Sequence, residues 1–193
     1  MKIAGLILAA GKSSRMGDDN KLMMPFQGKP MLSHVVDAAQ SSNLFHVGVV
    51  VGYQSETIKK FILNQNVQYI ENNNWETGMA SSLVAGIGKL SQIDGYLIML
   101  GDMPLITPDL INKIIDYGAD DKIIVPIKNG KQGNPVFFGS DFREDLMALS
   151  GDVGAKKVIK ENQSSVVEIE IQSNAIFKDF DTRDSLKAGV NVT

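Results

Sequence analysis

Short runs of apolar and often β-branched residues recur along the chain, and most of them are followed by a segment with helical spacing. Strands that alternate with helices form βαβ units, whose mostly parallel sheet is covered by helices on both faces. The sequence therefore predicts an α/β protein with three α/β/α layers and a mostly parallel, mixed sheet, in a single domain over residues 1–193. The predicted strands are Ile3–Leu8, Val47–Val51, Val67–Ile70, Tyr96–Leu100, Ile123–Ile127, Val136–Phe138 and Val166–Ile171, and the predicted helices are Met31–Gln40, Glu56–Leu63 with Ser55 as cap, Met79–Leu90, Leu110–Tyr117, segments near Asp141–Leu149 and Ala155–Asn162, and a closing helix to Ala188 with Thr182 as cap.

The composition narrows the possible functions. The net charge of −3 disfavours a protein that works by neutralising nucleic-acid phosphates. The absence of cysteine excludes disulfides, zinc–thiolate sites and thiol nucleophiles. No run of roughly 20 apolar residues is present, and a short polar interruption at residues 11–15 argues against a signal peptide. We therefore expect a cytoplasmic protein with no nucleic-acid and no membrane partner.

The loop after the first predicted strand carries many hydrogen-bond donors. It reads Leu8-Ala9-Ala10-Gly11-Lys12-Ser13-Ser14-Arg15-Met16-Gly17, and Lys21 follows soon after. Small residues let a ligand approach the backbone, and the hydroxyls and three cations suit a triphosphate. A P-loop is excluded, because Leu6 stands where its first glycine is required. The glycine spacing excludes a dinucleotide fingerprint as well, so the residues alone leave either a triphosphate site or a solvated loop.

Two aspartates are candidate magnesium ligands. Asp102 follows the apolar run Tyr96–Leu100 after one residue, Gly101, at the place where the carboxyl ends of parallel strands bind ligands. Mg²⁺ is usually bound by one or two carboxylates together with phosphate oxygens. Asp181 precedes the closing helix, where it could equally be an ordinary helix cap. A turn aspartate remains the alternative interpretation of Asp102.

The first loop resembles the signature of the nucleotidyltransferases with the glycosyltransferase-A-like fold, also called the nucleotide-diphospho-sugar transferase fold, which is Rossmann-like. The resemblance rests on residues 8–17 together with Lys21 and Pro25, and on the late segment Lys178-Asp179-Phe180-Asp181-Thr182. It implies that Asp102 and Asp181 bind Mg²⁺ and that Arg15 and Lys21 neutralise phosphates. The nucleotide-binding residues implied by this loop are Leu8, Ala9, Ala10, Gly11, Ser13, Arg15 and Lys21.

Three further segments resemble one branch of that family, the cytidylyltransferases that act on molybdopterin. They are Gly78–Leu83, Gly133–Val136 and Leu149–Ala155. The resemblance implies that the last two segments border one pocket facing Asp102. Ala10 stands where the guanylyl branch has glycine, which favours CTP over GTP. The resemblance assigns Gly78, Ser81 and Ser82 to the nucleotide, and Asn134, Pro135, Gly151, Asp152 and Gly154 to the acceptor.

The expected reaction moves CMP from CTP to the phosphate of molybdenum-molybdopterin, with release of pyrophosphate. A phosphomonoester is largely dianionic at neutral pH, so it needs no general base, and the sequence contains no convincing catalytic triad. Two alternatives stay open: a sugar or polyol phosphate as acceptor, and a non-catalytic cofactor chaperone for a molybdenum hydroxylase client. The joint presence of Arg15, Lys21, Asp102 and Asp181 argues against the chaperone.

Overall fold

A computed structural model describes residues 1–12, 20–62 and 66–180 of the chain. This part contains ten strands and six α-helices. In chain order they are β1 (Ile3–Ala9), β2 (Pro25–Phe26), β3 (Lys29–Pro30), α1 (Met31–Gln40), β4 (His46–Val51), α2 (Ser55–Phe61), β5 (Gln68–Glu71), α3 (Met79–Lys89), β6 (Gly95–Leu100), α4 (Pro108–Ile115), β7 (Ile123–Lys128), β8 (Lys131–Gln132), β9 (Val136–Gly139), α5 (Arg143–Met147), α6 (Lys156–Glu161) and β10 (Val166–Glu170).

One mixed sheet organises the described residues. Its strand order is β10-β7-β9-β6-β1-β4-β5, and β8 pairs with β7 beside this path. Strand β1 lies parallel to both β4 and β6, β4 lies parallel to β5, and β7 lies parallel to β10. Strand β9 runs antiparallel to its neighbours β6 and β7. The predicted mostly parallel, mixed sheet is therefore confirmed.

Helices cover both faces of the sheet. Alternate residues of β1 serve the two sides: Ile3 and Ile7 pack in the cluster that includes α1, α2 and α4, whereas Ala4 and Leu6 pack with α3, α5 and α6. This alternation follows from the two-residue period of a strand. The two apolar clusters form the layers above and below the sheet, so the predicted three-layer fold is confirmed.

Helix boundaries follow the local capping chemistry. Helix α1 has the predicted bounds, and its predicted apolar face is buried. Helix α4 begins with Pro108, and Thr107 Oγ1 accepts a hydrogen bond from Leu110 N–H. The predicted cap at Ser55 is wrong: Ser55 is the first residue of α2, and the preceding Gln54 turns the chain in a left-handed conformation (φ 53°). The Gln54 carbonyl then accepts the first helical hydrogen bonds.

A short hairpin, β2–β3, precedes α1 and was not predicted. Its buried Phe26 packs with Met31 and Phe180 in a small third cluster. The predicted closing helix with Thr182 lies outside the described residues, as does the predicted end of α2 at Leu63. In the described residues no helix is both long and apolar enough to span a bilayer.

Candidate functional site

A cavity of about 720 Å³ opens at the carboxyl ends of β1 and β6. This is the edge where parallel α/β sheets bind ligands, and the volume falls within the range of small-molecule sites. The cavity therefore lies where the sequence predicts the ligand. Its lining residues are Leu8, Ala9, Ala10, Gly11, Lys12, Lys21, Leu22, Trp75, Glu76, Thr77, Gly78, Met79, Ser82, Leu100, Asp102, Asp152 and Asp179.

The described start of the first loop is fixed to the neighbouring strands. Leu8 O accepts a hydrogen bond from Gly101 N–H (3.1 Å), and Ala10 O accepts one from Tyr53 N–H (3.0 Å). Gly52, which precedes Tyr53, lets the backbone lie close to Trp75, because a Cβ at this position would lie 2.7 Å from Trp75 Cβ. Backbone bonds from two adjacent loops thus hold this wall of the cavity. Ser13 and Arg15 lie outside the described residues.

Lys21 and Asp102 form an ion pair in the cavity wall. The distance from Lys21 Nζ to Asp102 Oδ2 is 2.6 Å, and the side chains are only 14% and 16% exposed. Lys21 opens a short 3₁₀ turn that Asn20 caps, because Asn20 Oδ1 accepts from Leu22 N–H (3.1 Å). Leu22 is buried and anchors this turn. The Lys21 side chain then lies against Asp102. The structure thus brings together the cation and the carboxylate that the sequence singled out.

The second oxygen of Asp102 fits a cation. Asp102 Oδ1 is buried and has no hydrogen-bond partner. A buried acceptor without a partner costs about 1–3 kcal/mol, and more when it is charged, so a ligand that pairs with it is favoured. Carboxylate oxygens are the ligands that Mg²⁺ and similar hard cations prefer. Within the described ranges no group of three or more His, Cys, Asp or Glu residues could hold a metal, so Asp102 would share such an ion with substrate oxygens or with residues outside these ranges.

The late acidic segment reaches the same cavity. Asp179 lines it, and Phe180 N–H donates to Asp102 O (3.3 Å). The Phe180 ring, 3% exposed, anchors the segment against Phe26, with the ring centroids 5.0 Å apart. Asp181, the second predicted metal ligand, is the next residue in the sequence and lies outside the described residues. Asp179 was not predicted as a site residue.

Gly151 and Asp152 accept hydrogen bonds from the first backbone amides of α3. The Gly151 carbonyl accepts from Ala80 N–H (3.3 Å), and Asp152 Oδ1 accepts from Met79 N–H (3.4 Å). Gly78 has a φ of 110°, and a Cβ there would lie 2.6 Å from Gly151 O, so glycine is required. These contacts occupy the amides that a helix N-terminus offers to an anion. Asp152, assigned to the acceptor, thus lines the cavity and also caps α3.

Thr77 does not cap α3. Gly78 precedes the first helical residue, and the Thr77 hydroxyl donates to Asn74 O (2.7 Å) instead. The two predicted serines differ from each other: Ser82 lines the cavity, whereas the Ser81 hydroxyl donates to Gly78 O (2.8 Å).

The other predicted acceptor residues do not line this cavity. Asn134 N–H donates to Ile176 O (2.9 Å), and Gly133 N–H donates to Pro126 O (2.8 Å). These bonds hold residues 133–135 at the corner between β8 and β9, against the turn at 174–177. Of the two acceptor segments expected to border one pocket, the structure places Asp152 in the described lining of this cavity and Asn134 and Pro135 outside it. Gly151 and Gly154 flank Asp152 outside the lining.

The charges of the described lining are mixed. Two cations, Lys12 and Lys21, face four carboxylates: Glu76, Asp102, Asp152 and Asp179. Lys12 Nζ lies 5.5 Å from the centroid of the Tyr53 ring, which in turn lies 5.4 Å from Trp75. The four carboxylates outnumber the two lysines in the described lining, so a divalent cation would favour the binding of an anionic ligand there.

The mostly parallel sheet, the cavity at its carboxyl edge and the lysine–aspartate pair together define a ligand-binding α/β domain suited to phosphate chemistry. Residues 5–166 match the family model described as the MobA-like NTP transferase domain. The chain therefore belongs to the MobA-like family of nucleotidyltransferase domains.

The chain is also similar to a curated protein and, in its fold, to a solved structure. The chain is 32% identical over 164 residues to the bifunctional protein GlmU of Symbiobacterium thermophilum; the match covers 83% of this chain but 35% of GlmU, so the chain spans about a third of its length. The crystal structure of Rv0371c from Mycobacterium tuberculosis H37Rv has a TM-score of 0.88 at 24% identity, covering 100% of this chain and 99% of that one.

Two further structures carry ligands. The complex of Rv0371C with manganese has a TM-score of 0.86 at 22% identity and covers 100% of both chains. A CMP:2-keto-3-deoxy-manno-octonic acid synthetase complexed with CTP has a TM-score of 0.78 at 16% identity, covering 97% of this chain and 96% of that chain. Similarities at these identities concern the fold.

Proposed function

We propose that the chain is a nucleotidyltransferase that moves CMP from CTP onto the phosphate of a molybdopterin-type acceptor, with release of pyrophosphate. The observation that carries the reaction type is Asp102, whose one oxygen pairs with Lys21 while the other is buried without a partner in the cavity wall. This arrangement suits a site that binds a polyphosphate together with a divalent cation.

Each step of the proposed reaction has a group to support it. An oxygen of the acceptor phosphate attacks the α-phosphorus of CTP in line, the bond to the β-phosphate bridging oxygen breaks, and pyrophosphate leaves with that electron pair. Lys21, and Arg15 by the family resemblance, neutralise the charge that builds on the leaving group. Mg²⁺ held by Asp102, with Asp181 as the proposed second ligand, would neutralise phosphate charge; the manganese complex of Rv0371C agrees with a divalent ion in this fold.

The preference for CTP is supported by the rigidity around Ala10. Its carbonyl accepts from Tyr53 N–H, the residue is 2% exposed, and a Cβ added to the neighbouring Gly52 would lie 3.0 Å from the Ala10 Cβ. A backbone held on both sides resists the shift that would let this wall admit a larger base. The CTP complex of the synthetase with the same fold agrees with a pyrimidine nucleotide.

The cavity lining near the beginning of α3 suits a ring system with hydrogen-bond donors. Met79 is 45% exposed there, and the carboxylates of Glu76 and Asp152 can accept from amino and ring N–H groups. A pterin has an apolar face and such donors. A sugar or polyol phosphate is the second candidate, because its hydroxyls also donate to carboxylates and because the synthetase relative is named for a sugar acid.

The test combines binding and turnover. Trp75 is the sole tryptophan and lines the cavity, so its fluorescence reports ligands bound there. Titration with all four nucleoside triphosphates and Mg²⁺ or Mn²⁺ should give the tightest binding for CTP, whereas tightest binding of GTP would contradict the cytidylyl assignment. Turnover is then measured with molybdenum cofactor beside a panel of sugar and polyol phosphates. Product from the panel alone would replace the pterin acceptor, and binding of cofactor without pyrophosphate release would favour a chaperone.

A further inference from the structure

Asn72 is a buried polar residue outside the predicted site. It follows β5 and is 3% exposed. Its Nδ2 donates to Ser81 Oγ (2.8 Å) and to Ser82 Oγ (3.1 Å), and its Oδ1 accepts from Asn74 N–H (3.0 Å). A backbone N–H can only donate, so the bond from Asn74 identifies the oxygen of the amide and fixes Nδ2 as the donor to both serines.

The Asn72 amide determines in which direction the hydroxyls of Ser81 and Ser82 donate their protons. A serine hydroxyl has one proton to donate, and Asn72 occupies an acceptor position on each serine. Ser81 donates its proton to the Gly78 carbonyl (2.8 Å), which fastens the turn at the beginning of α3. Ser82 lines the cavity at the same turn. Because Asn72 donates to Ser82, the Ser82 proton remains for another acceptor.

We propose that Asn72 is a positioning residue, which presents the Ser82 hydroxyl as a hydrogen-bond donor to an oxygen or ring-nitrogen acceptor of the bound nucleotide. The inference rests on the proposed function, because it concerns the same cavity. Asn72 itself does not line the cavity and acts on the nucleotide only through the Ser82 hydroxyl, whereas its bond to Ser81 supports the turn at the beginning of α3.

Two substitutions separate this role from general stability. Asn72→Asp keeps the acceptor for Asn74, but its oxygens only accept, so both serine hydroxyls must turn toward it. Asn72→Ala removes the restraint without adding charge and serves if the aspartate variant fails to fold. Asn112→Asp is the matched control, because Asn112 Oδ1 likewise accepts a backbone N–H, that of Asn43 (2.7 Å), on α4 away from the cavity.

The measurement is the nucleotide Kd from Trp75 fluorescence, with kcat, KM and Tm for each variant. Loss of one hydrogen bond to the ligand should raise Kd and KM about fivefold in both Asn72 variants and in Ser82→Ala, with kcat within about twofold of wild type. In a Ser82→Ala background the Asn72 substitutions should have no further effect, because both act on one contact. If the aspartate of Asn72→Asp weakened binding by repelling the nucleotide, it would do so in the Ser82→Ala background as well. The double variant therefore distinguishes repulsion from loss of the Ser82 hydrogen bond.

Two outcomes would overturn the inference alone: Asn72 variants that bind nucleotide like the wild type whatever their Tm, or effects of Asn72 and Ser82 that add. If the wild-type chain binds no nucleotide, the proposed function fails, and this inference fails with it.

Discussion

Asp102→Asn tests the site most informatively, because the substitution keeps the size of the side chain and removes its charge. The amide oxygen can still accept from Lys21, so a hydrogen bond from the charged ammonium to a neutral oxygen replaces the 2.6 Å ion pair. The substitution also takes away the anionic oxygen that is buried without a partner. We therefore expect a modest effect on folding and a large effect on catalysis.

The structure bounds both magnitudes. Breaking a fully buried ion pair costs about 3–5 kcal/mol and a surface pair about 0–1 kcal/mol. The Lys21 and Asp102 side chains, at 14% and 16% exposed beside an open cavity and with a hydrogen bond retained, lie between these limits. We expect a loss of about 1–2 kcal/mol, which leaves a domain of ordinary stability (about 5–15 kcal/mol) folded. Loss of the cation site should lower kcat/KM about 100-fold or more, equivalent to about 2.7 kcal/mol.

The assay pairs thermal unfolding with pyrophosphate release for wild type, Asp102→Asn and Asp116→Asn. Asp116 is an exposed aspartate at the end of α4, so its variant removes the same charge outside the cavity and should retain activity. Turnover of Asp102→Asn within about threefold of wild type would refute the assignment. A loss of activity that merely follows the unfolded fraction would refute the reasoning as well.

Three further predictions follow from single contacts. Lys21→Ala should raise the KM for the triphosphate about tenfold or more in steady-state kinetics, and normal nucleotide binding would exclude Lys21 from the phosphate site. Gly78→Ala should lower the Tm by several degrees, because its φ is 110° and its Cβ would lie 2.6 Å from Gly151 O, whereas Gly88→Ala within α3, with 3.6 Å to the nearest atom, should not lower it. Burial lowers the pKa of His34 below 6.5, so the unfolded chain binds more protons and stability falls as the pH drops below 6.5; His34→Gln should reduce this slope in thermal unfolding, and an unchanged slope would contradict it.

The parts of the fold that were predicted correctly have a local sequence pattern. The bounds of α1 follow from apolar residues at helical spacing, and β1 follows from an apolar run before a loop of small residues. The hairpin β2–β3 has two residues in each strand, which is too short for any periodicity. Gln54 in a left-handed conformation has no sequence signal, so the start of α2 was misplaced by one residue.

The candidate site likewise contains residues that a local sequence pattern predicts and residues whose contacts depend on the tertiary fold. Asp102 and Lys21 could be predicted, because their positions relative to strand ends and to the first loop are local properties. Asp152 caps Met79 from 73 residues away, and no sequence pattern indicates that contact. Asn72 lies in a run of asparagines typical of a loop, and only its burial against α3 distinguishes it. Asn134 and Pro135 were assigned by resemblance, and their packing against Ile176 depends on the tertiary fold.

The proposed function requires CTP to be cleaved between its α- and β-phosphates in this cavity, with transfer of the nucleotide to the acceptor. The most direct measurement incubates the protein with Mg²⁺, acceptor and CTP labelled at either the α- or the γ-phosphate, and identifies the labelled products by chromatography. We predict that the α-label appears in an acceptor–cytidylate product and the γ-label in pyrophosphate, both lost in Asp102→Asn. Release of the γ-label as inorganic phosphate, or its transfer to the acceptor, would contradict the account.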